Sequence, residues 1–249
     1  MSAVATERVG AVGVIRLDDA KRRNSLSVDL QDGVVAAVET FEADDDVRAL
    51  VLTATPPVFC AGGDLDGLIA EDRRPLRDIY RTFFRIAESP LPSIAAVTGH
   101  AYGAGTNFVL ACDVAVAAPH VRFDSRFLDA GIHSGGGFIS GLQRAIGSRR
   151  AAAFLLLADS LNAEEAQQCG LVHSVVDDPE AEALALAERL AARPPALVAR
   201  VKLTLRQSLW AATEQEALDA EHDAQAWSME QPEFVATVEA LRRKVRGGA

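Results

Sequence analysis

A stretch with three closely spaced glycines, residues 92–113, constrains the fold of this chain more than any other part of it. Residues 94–97 are apolar and partly β-branched, which predicts a buried strand. Glycines follow at positions 99, 103 and 105, and the apolar residues 108–112 then favour a buried helix. A helix that begins directly after glycines presents unpaired backbone N–H groups, which suit an anion or a developing oxyanion. Glycine also serves simply to turn a strand into a helix, so both interpretations stay open here.

Strand and helix patterns alternate over the first two thirds of the chain. Strands are predicted at 12–17, 47–53, 94–97, 114–118 and 171–176, and helices at 28–42 (with Ser27 as N-cap), 75–89, 141–158 (interrupted at Gly147, with Ser148 as the second cap) and 163–170. Four helical patterns follow, at about 180–192, 195–211, 214–229 and 231–245, without another strand. The order predicts an α/β domain with parallel strands over residues 1–190 and a helical region over 191–249.

Composition excludes several classes of function. The net charge of −10 on 249 residues argues against non-specific nucleic-acid binding and against docking on an anionic membrane. The sequence has no signal-peptide pattern and no apolar run of about 18 residues, so no membrane association is expected. Its three cysteines, Cys60, Cys112 and Cys169, are far apart and lack metal-ligand spacing. We therefore expect reduced thiols, a cytoplasmic location, and neither a metal nor a redox cofactor.

Four stretches, in this order and spacing, resemble the crotonase (enoyl-CoA hydratase/isomerase) superfamily. They are KRRNSL at 21–26, FCAGGDL at 59–65, GAGTNFVLACD at 103–113, and residues 163–172. The resemblance implies a crotonase-like spiral of repeated ββα units, with C-terminal helices used for trimerisation. It also implies a homotrimer or homohexamer (a dimer of trimers) and a coenzyme A thioester as substrate, without a separate cofactor.

The resemblance also assigns roles to positions of this chain. The backbone N–H groups of Gly63 and Ala104 would hold the thioester oxygen while an enolate forms, a step that such an oxyanion hole favours. Further positions would contact coenzyme A: Lys21, Arg22 and Arg23 at its adenine and phosphate end, Asp64 and Leu65 beside the pantetheine, Ala61 in the first glycine turn, and Lys202 from the C-terminal helices. The basic loop can also be a solvated surface loop, and Lys202 a helix-surface lysine.

The proton-transfer residues depart from the pattern of the family. Its hydratases use two glutamates, and the corresponding positions here are Asn107 and Phe127, neither of which can transfer a proton. We also place Phe127 beside the substrate. A third position, which is an aspartate in some relatives with isomerase or dehalogenase activity, is Gly135.

Among the polar groups nearby, His133 is the first candidate acid or base and Asp129 the second. His133 can also be a loop histidine that is hydrogen-bonded to the backbone. Three functions stay open: a hydratase or isomerase of acyl-CoA thioesters, a non-catalytic acyl-CoA-binding protein of the same fold, or another thioester reaction such as isomerisation, decarboxylation or thioester hydrolysis.

Overall fold

The computed structural model of the chain describes residues 3–70 and 74–247. It divides into two compact units, the first ending at Ala191 and the second beginning at Ala192. The described strands are β1 (Val4–Val9), β2 (Val12–Leu17), β3 (Ala49–Ala54), β4 (Val58–Cys60), β5 (Ser93–Val97), β6 (His100–Tyr102), β7 (Val114–Ala117), β8 (Arg122–Asp124), β9 (Ser160–Asn162) and β10 (Ser174–Val175).

The helices of the first unit are α1 (Val28–Glu42), α2 (Leu65–Ile69), α3 (Leu76–Glu88), α4 (Ala104–Ala111), α5 (Phe138–Ile146), α6 (Ser148–Leu156), α7 (Ala163–Gln168) and α8 (Pro179–Ala191). The second unit consists of α9 (Pro195–Trp210), α10 (Glu214–Met229) and α11 (Pro232–Gly247) in its described part. Helix α1 starts where its sequence predicts, because the Ser27 side chain accepts a hydrogen bond from the Leu30 N–H.

Two sheets form the frame of the first unit. The larger has the order β1-β2-β3-β5-β7-β10, in which β1 is antiparallel to β2 and the other neighbours are parallel. The smaller has the order β4-β6-β8-β9, parallel except for the β8–β9 pair. The chain passes from the larger to the smaller sheet three times, from β3 to β4, from β5 to β6 and from β7 to β8. These passages are the repeated ββ steps of the expected spiral, and the α/β fold is confirmed.

The central strands of the larger sheet, β2, β3 and β5, are buried on both faces, as the strands of parallel sheets usually are. Alternate residues of its strands, including Val14, Val51 and Ile94, form one apolar cluster with Ala183 and Ala187 of α8. The residues between them, such as Leu50 and Leu52, belong to the main core on the opposite face. Helix α8 thus covers one face of the sheet, and the core on the other face contains residues of the smaller sheet and of α1, α3, α4, α5, α6 and α7 of the first unit.

Several details of the sequence-based assignment were wrong. Strand β1 was missed because its four middle residues are exposed and polar or small, so it carries no apolar stripe. The three-residue strands β4, β6, β8 and β9 are too short for a recognisable period. Gly147, not Ser148, is the N-cap of α6, and its φ of 77° is a conformation that glycine adopts without strain.

Candidate functional site

Two glycine turns leave adjacent strands at the same edge of the smaller sheet. The first, residues 61–64, follows β4, and the second, residues 103–105, follows β6. Because β4 and β6 are parallel neighbours, with Val58 paired to His100 and Cys60 to Ala101, their carboxyl ends bring both turns together. The edge beyond the carboxyl ends of parallel strands is a common place for ligands in α/β proteins.

The turns touch each other through positions that have no room for a side chain. A Cβ built on Gly105 would lie 2.4 Å from the Cys60 carbonyl oxygen. A Cβ on Gly62, whose φ is +96°, would lie 2.7 Å from the Tyr102 carbonyl oxygen and 3.5 Å from the Ala104 nitrogen. Glycine is therefore required at both positions by close approach of backbone to backbone, and at Gly62 by its φ as well.

Each turn presents a backbone N–H group at this junction. Ala104 is the first residue of α4, and its N-cap Gly103 has no capping side chain. Gly63 pairs with Leu26, but the bond in that pair runs from the Leu26 N–H to the Gly62 oxygen, at 2.8 Å. Across residues 3–70 and 74–247, neither the Gly63 nor the Ala104 N–H donates to a protein acceptor. Two free donors and the positive end of the α4 dipole make this junction suitable for a negatively polarised oxygen.

Cys60 lies next to this junction but is not a nucleophile. Its side chain is fully buried, and its sulfur accepts a hydrogen bond from the Gly62 N–H at 3.4 Å. Burial raises the pKa of the Cys60 thiol to about 12, so it stays protonated. It is a packing residue of the first turn.

The basic loop is attached to the first glycine turn. The Arg23 carbonyl accepts a hydrogen bond from the Ala61 N–H at 3.0 Å. The buried amide of Asn24, which the sequence had not singled out, donates to the carbonyl oxygens of Thr55 and Val58 and so holds the loop against the ends of β3 and β4. The charged residues of the loop, Lys21, Arg22 and Arg23, are all exposed. An anionic group beside the first turn would meet these cations.

Asn107 lies one helical turn beyond Ala104 and is 4% exposed. Its Nδ2 donates to the carbonyl oxygen of Gly135 at 3.0 Å. Its Oδ1 is buried and accepts no hydrogen bond from any residue that the structure describes. A buried acceptor without a donor is costly, so this atom is suited to a hydroxyl or water that the site would supply.

Tyr80 of α3 fills the space beside Gly135. A Cβ built on Gly135 would lie 1.9 Å from the Tyr80 Oη, and one on Gly136 would lie 2.9 Å from Tyr80 Cδ1 and 2.8 Å from Asn107 Nδ2. Tyr80 and Asn107 therefore meet at the same two glycines. Sequence reasoning missed Tyr80, because its signal was only a tyrosine within an amphipathic helix and a glycine at a position far along the chain.

Phe127, His133 and Asp129 make no described contact with Asn107. The Phe127 ring packs edge-to-face on Phe138, with ring centroids 4.9 Å apart. His133 and Asp129 are on exposed stretches of the following loop, and the His133 Nδ1 lies 2.6 Å from the Ser134 carbonyl oxygen. No described contact brings either side chain to Asn107. Their assignment as acid or base stays a prediction.

All the coenzyme A positions stay predictions, and three of them lie outside the basic loop. Asp64 is the N-cap of α2 without a side-chain capping bond. The side chain of Leu65 lies outside the part of the chain that is described. Lys202 is buried on α9 in the second unit.

In the described residues no three His, Cys, Asp or Glu side chains are grouped to hold a metal ion, and none of the described helices is long and apolar enough to cross a membrane.

Comparison with known proteins identifies relatives along nearly the whole chain. Residues 7–243 match the family model described as enoyl-CoA hydratase/isomerase. A probable enoyl-CoA hydratase of Mycobacterium tuberculosis is 39% identical over 242 residues, covering 94% of each chain. A probable enoyl-CoA hydratase of Rhodobacter capsulatus is 36% identical over 204 residues, 80% of this chain and 79% of the other.

Solved structures agree with this similarity. An enoyl-CoA hydratase subunit I of Geobacillus kaustophilus superposes with a TM-score of 0.90 at 30% identity, covering 97% of this chain and 95% of the other. The enoyl-CoA hydratase of Bacillus anthracis gives 0.90 at 26% identity, covering 97% and 96%.

Proposed function

Because the chain belongs to the enoyl-CoA hydratase/isomerase family of the crotonase superfamily, we propose that it binds an acyl-CoA thioester and stabilises the derived enolate. The thioester oxygen lies between the backbone N–H groups of Gly63 and Ala104. The observation that carries this proposal is the contact of the two glycine turns, which leaves both donors without a protein acceptor in the described residues. One such donor typically contributes about 3 kcal/mol to the transition state.

The adenine and phosphate end of coenzyme A binds beside the basic loop. Attachment of Arg23 to Ala61 supports this, because it holds Lys21, Arg22 and Arg23 next to the turn that carries Gly63. Positive charge here balances the phosphates of a ligand that the overall charge of −10 would otherwise repel. Asp64 and Leu65 then follow the pantetheine away from the hole.

Hydration is the activity that the side chains of this site support least. Addition of water needs a base for the water and an acid for the α-carbon. Asn107 and Phe127 provide neither, so a reaction that needs only proton transfer at carbon, such as double-bond isomerisation, is favoured over hydration. The absence of carboxylates at these two positions equally motivates a second candidate, a protein that binds acyl-CoA without converting it.

A substitution of Ala104 by proline tests the oxyanion hole. Proline is tolerated at the first position of a helix and removes only the N–H group that the helix does not use. We expect Ala104→Pro to lower turnover of crotonyl-CoA or a 3-enoyl-CoA about 100-fold or more. Loss or gain of the conjugated enone absorbance and release of free thiol are followed with each substrate.

Two control variants accompany this test. Ser148→Pro makes the same change at the first position of α6, at an exposed residue, and should leave turnover unchanged. Ala104→Gly keeps the N–H and should retain most activity. Tight acyl-CoA binding by the wild-type protein without turnover in any assay would favour the binding protein instead, and full activity of Ala104→Pro would exclude this hole.

We also propose that the second unit mediates self-association into trimers or pairs of trimers. Its helices expose large apolar side chains, among them Val201, Leu205, Leu209 and Trp210, which are 51–67% exposed. Exposed apolar area of this kind commonly marks a subunit contact. Light scattering coupled to size-exclusion chromatography gives the mass directly, and a monomer at micromolar concentration would contradict this proposal.

A further inference from the structure

We propose that Tyr80 is the proton-carrying catalytic residue of this site and that Asn107 positions the group on which it acts. The inference rests on the enolate chemistry proposed above and supplies the acid and base that the chain lacks at positions 107 and 127. It also replaces His133 and Asp129, which the described contacts leave on an exposed loop.

Packing of α3 against α4 brings Tyr80 close to Asn107, because atoms of both side chains lie within 2.9 Å of a Cβ built on Gly136. The rings of Phe83 and Phe108 meet edge-to-face with centroids 5.0 Å apart, and Phe83 is 3% and Phe108 0% exposed. Tyr80 lies three residues before Phe83 on α3, and Asn107 directly precedes Phe108 on α4. The helix α4 that carries Asn107 begins at Ala104, so Tyr80 faces the same helix whose first N–H group is free.

Two polar atoms at this contact have no protein partner among the described residues. The Tyr80 hydroxyl makes no hydrogen bond there, and the Asn107 Oδ1 is a buried acceptor without a donor. The Nδ2 of the same amide is fixed by the Gly135 carbonyl, which determines where Oδ1 lies. A phenol supplies one proton and can take it back, whereas the amide can only orient a group through hydrogen bonds.

Gly135 and Gly136 make room for this arrangement. At Gly135 a Cβ would occupy the position of the Tyr80 hydroxyl, at 1.9 Å from its oxygen. A carboxylate side chain at position 135 and the tyrosine at position 80 therefore exclude each other. In this chain the space beside the site is taken by a phenol, a group that can do acid–base chemistry.

The proton moves between the Tyr80 hydroxyl and the α-carbon of the substrate, and solvent water then exchanges with it. When the enolate collapses, the Tyr80 O–H bond breaks, its electron pair stays on the phenolate oxygen, and the proton forms a C–H bond at the α-carbon while the thioester C=O returns. In the reverse direction the phenolate takes the α-proton, and the C–H electron pair moves into the enolate held by the Gly63 and Ala104 N–H groups. Tyr80 is partly exposed, so solvent water exchanges its proton between turnovers.

Exchange of α-protons with solvent tests the role of Tyr80. Butyryl-CoA in D₂O needs no addition of water, so proton NMR of its α-methylene measures enolate formation alone. Tyr80→Phe removes one oxygen and keeps the ring that packs at Gly136, and we expect exchange to slow about 100-fold or more with butyryl-CoA binding unchanged. Tyr102→Phe makes the same change at the only other tyrosine of the chain and should exchange at the wild-type rate.

A second variant separates proton transfer from packing. 3-Fluorotyrosine at position 80 preserves the shape of the ring but makes the phenol more acidic, so the pH profile of exchange should shift towards lower pH. Three results would overturn this inference. They are a pH profile of exchange that does not shift with 3-fluorotyrosine, a wild-type exchange rate in Tyr80→Phe, and an equal loss of exchange in Tyr80→Phe and Tyr102→Phe. If the wild-type protein binds butyryl-CoA without exchange, the enolate proposal fails with it, whereas exchange that persists in Tyr80→Phe overturns the role of Tyr80 alone.

Discussion

The contact between the two glycine turns predicts that a single methyl group at position 105 will disable the site. Gly105 lies on α4 directly after Ala104, and its Cα faces the carbonyl oxygen of Cys60 in the first turn. In Gly105→Ala the new Cβ would lie 2.4 Å from that oxygen and 3.0 Å from the Cys60 Cβ, against 3.4–4 Å for ordinary contacts. The turns must therefore separate by about 1 Å, since both sides of the contact resist compression.

The size of the effect follows from that displacement. An error of about 1 Å in catalytic geometry can cost about 100-fold in rate, and loss of one oxyanion donor costs about 100-fold to 1,000-fold. We therefore expect turnover to fall by about two orders of magnitude or more. Overpacking typically costs about 1–3 kcal/mol, which lowers the Tm of a chain of this size by roughly 2–12 °C. The folded protein thus remains available for kinetics at 25 °C.

Steady-state kinetics with a 3-enoyl-CoA and calorimetric measurement of acyl-CoA binding are compared for the wild type, Gly105→Ala and Gly141→Ala. Gly141 lies inside α5, where a Cβ would meet Leu110 at an ordinary 3.6 Å, so alanine there should preserve activity and stabilise the helix by about 0.5–1 kcal/mol. Circular dichroism confirms that each variant is folded. Wild-type turnover in Gly105→Ala would mean that the separation of the two glycine turns does not set the activity.

Two further predictions concern hydration and acid stability. Asn107→Glu supplies one of the missing carboxylates and should raise the rate of crotonyl-CoA hydration about tenfold or more over the wild type. Asn107→Gln, the control, should leave that rate unchanged. Equal hydration rates in Asn107→Glu and the wild type would mean that this position does not face the substrate. Hydrogen bonding to Arg16 lowers the pKa of Glu180, so the pair stabilises the fold above the ordinary carboxyl pKa and loses that effect as the pH falls through the lowered value. Glu180→Gln should therefore lower the free energy of unfolding by about 1 kcal/mol at pH 7 and leave it unchanged at a pH below the lowered pKa of Glu180. Thermal melts over a range of pH measure this difference. A loss of stability that does not depend on pH would contradict this origin.

The order of elements was largely predictable because most of them carry a strong local signal. Helix α1 combines the Ser27 cap with apolar residues at helical spacing, and its predicted bounds of 28–42 match the structure. The four helices from Pro179 onward were also found in order. The smaller sheet was not foreseen, because its strands have three residues each and are defined by their neighbours rather than by their own pattern.

The candidate site was predictable only where local sequence determines it. The glycine turns, and Ala104 at the start of a helix, were recognisable from strand–glycine–helix order. The meeting of Tyr80 with Asn107 depends on how α3 packs against α4, and the space beside Gly135 is visible only once the helices are in place. Asn24 was missed for the same reason, since its amide links the basic loop to strand ends about 30 residues away.

A crystal structure with a non-reactive acyl-CoA thioester analogue would show whether Gly63 and Ala104 hold the thioester oxygen. We predict that the analogue's carbonyl oxygen lies about 2.7–3.1 Å from both backbone nitrogens, with the α-carbon towards Tyr80. An analogue bound with that oxygen in contact with neither nitrogen would exclude the oxyanion hole formed by the two glycine turns.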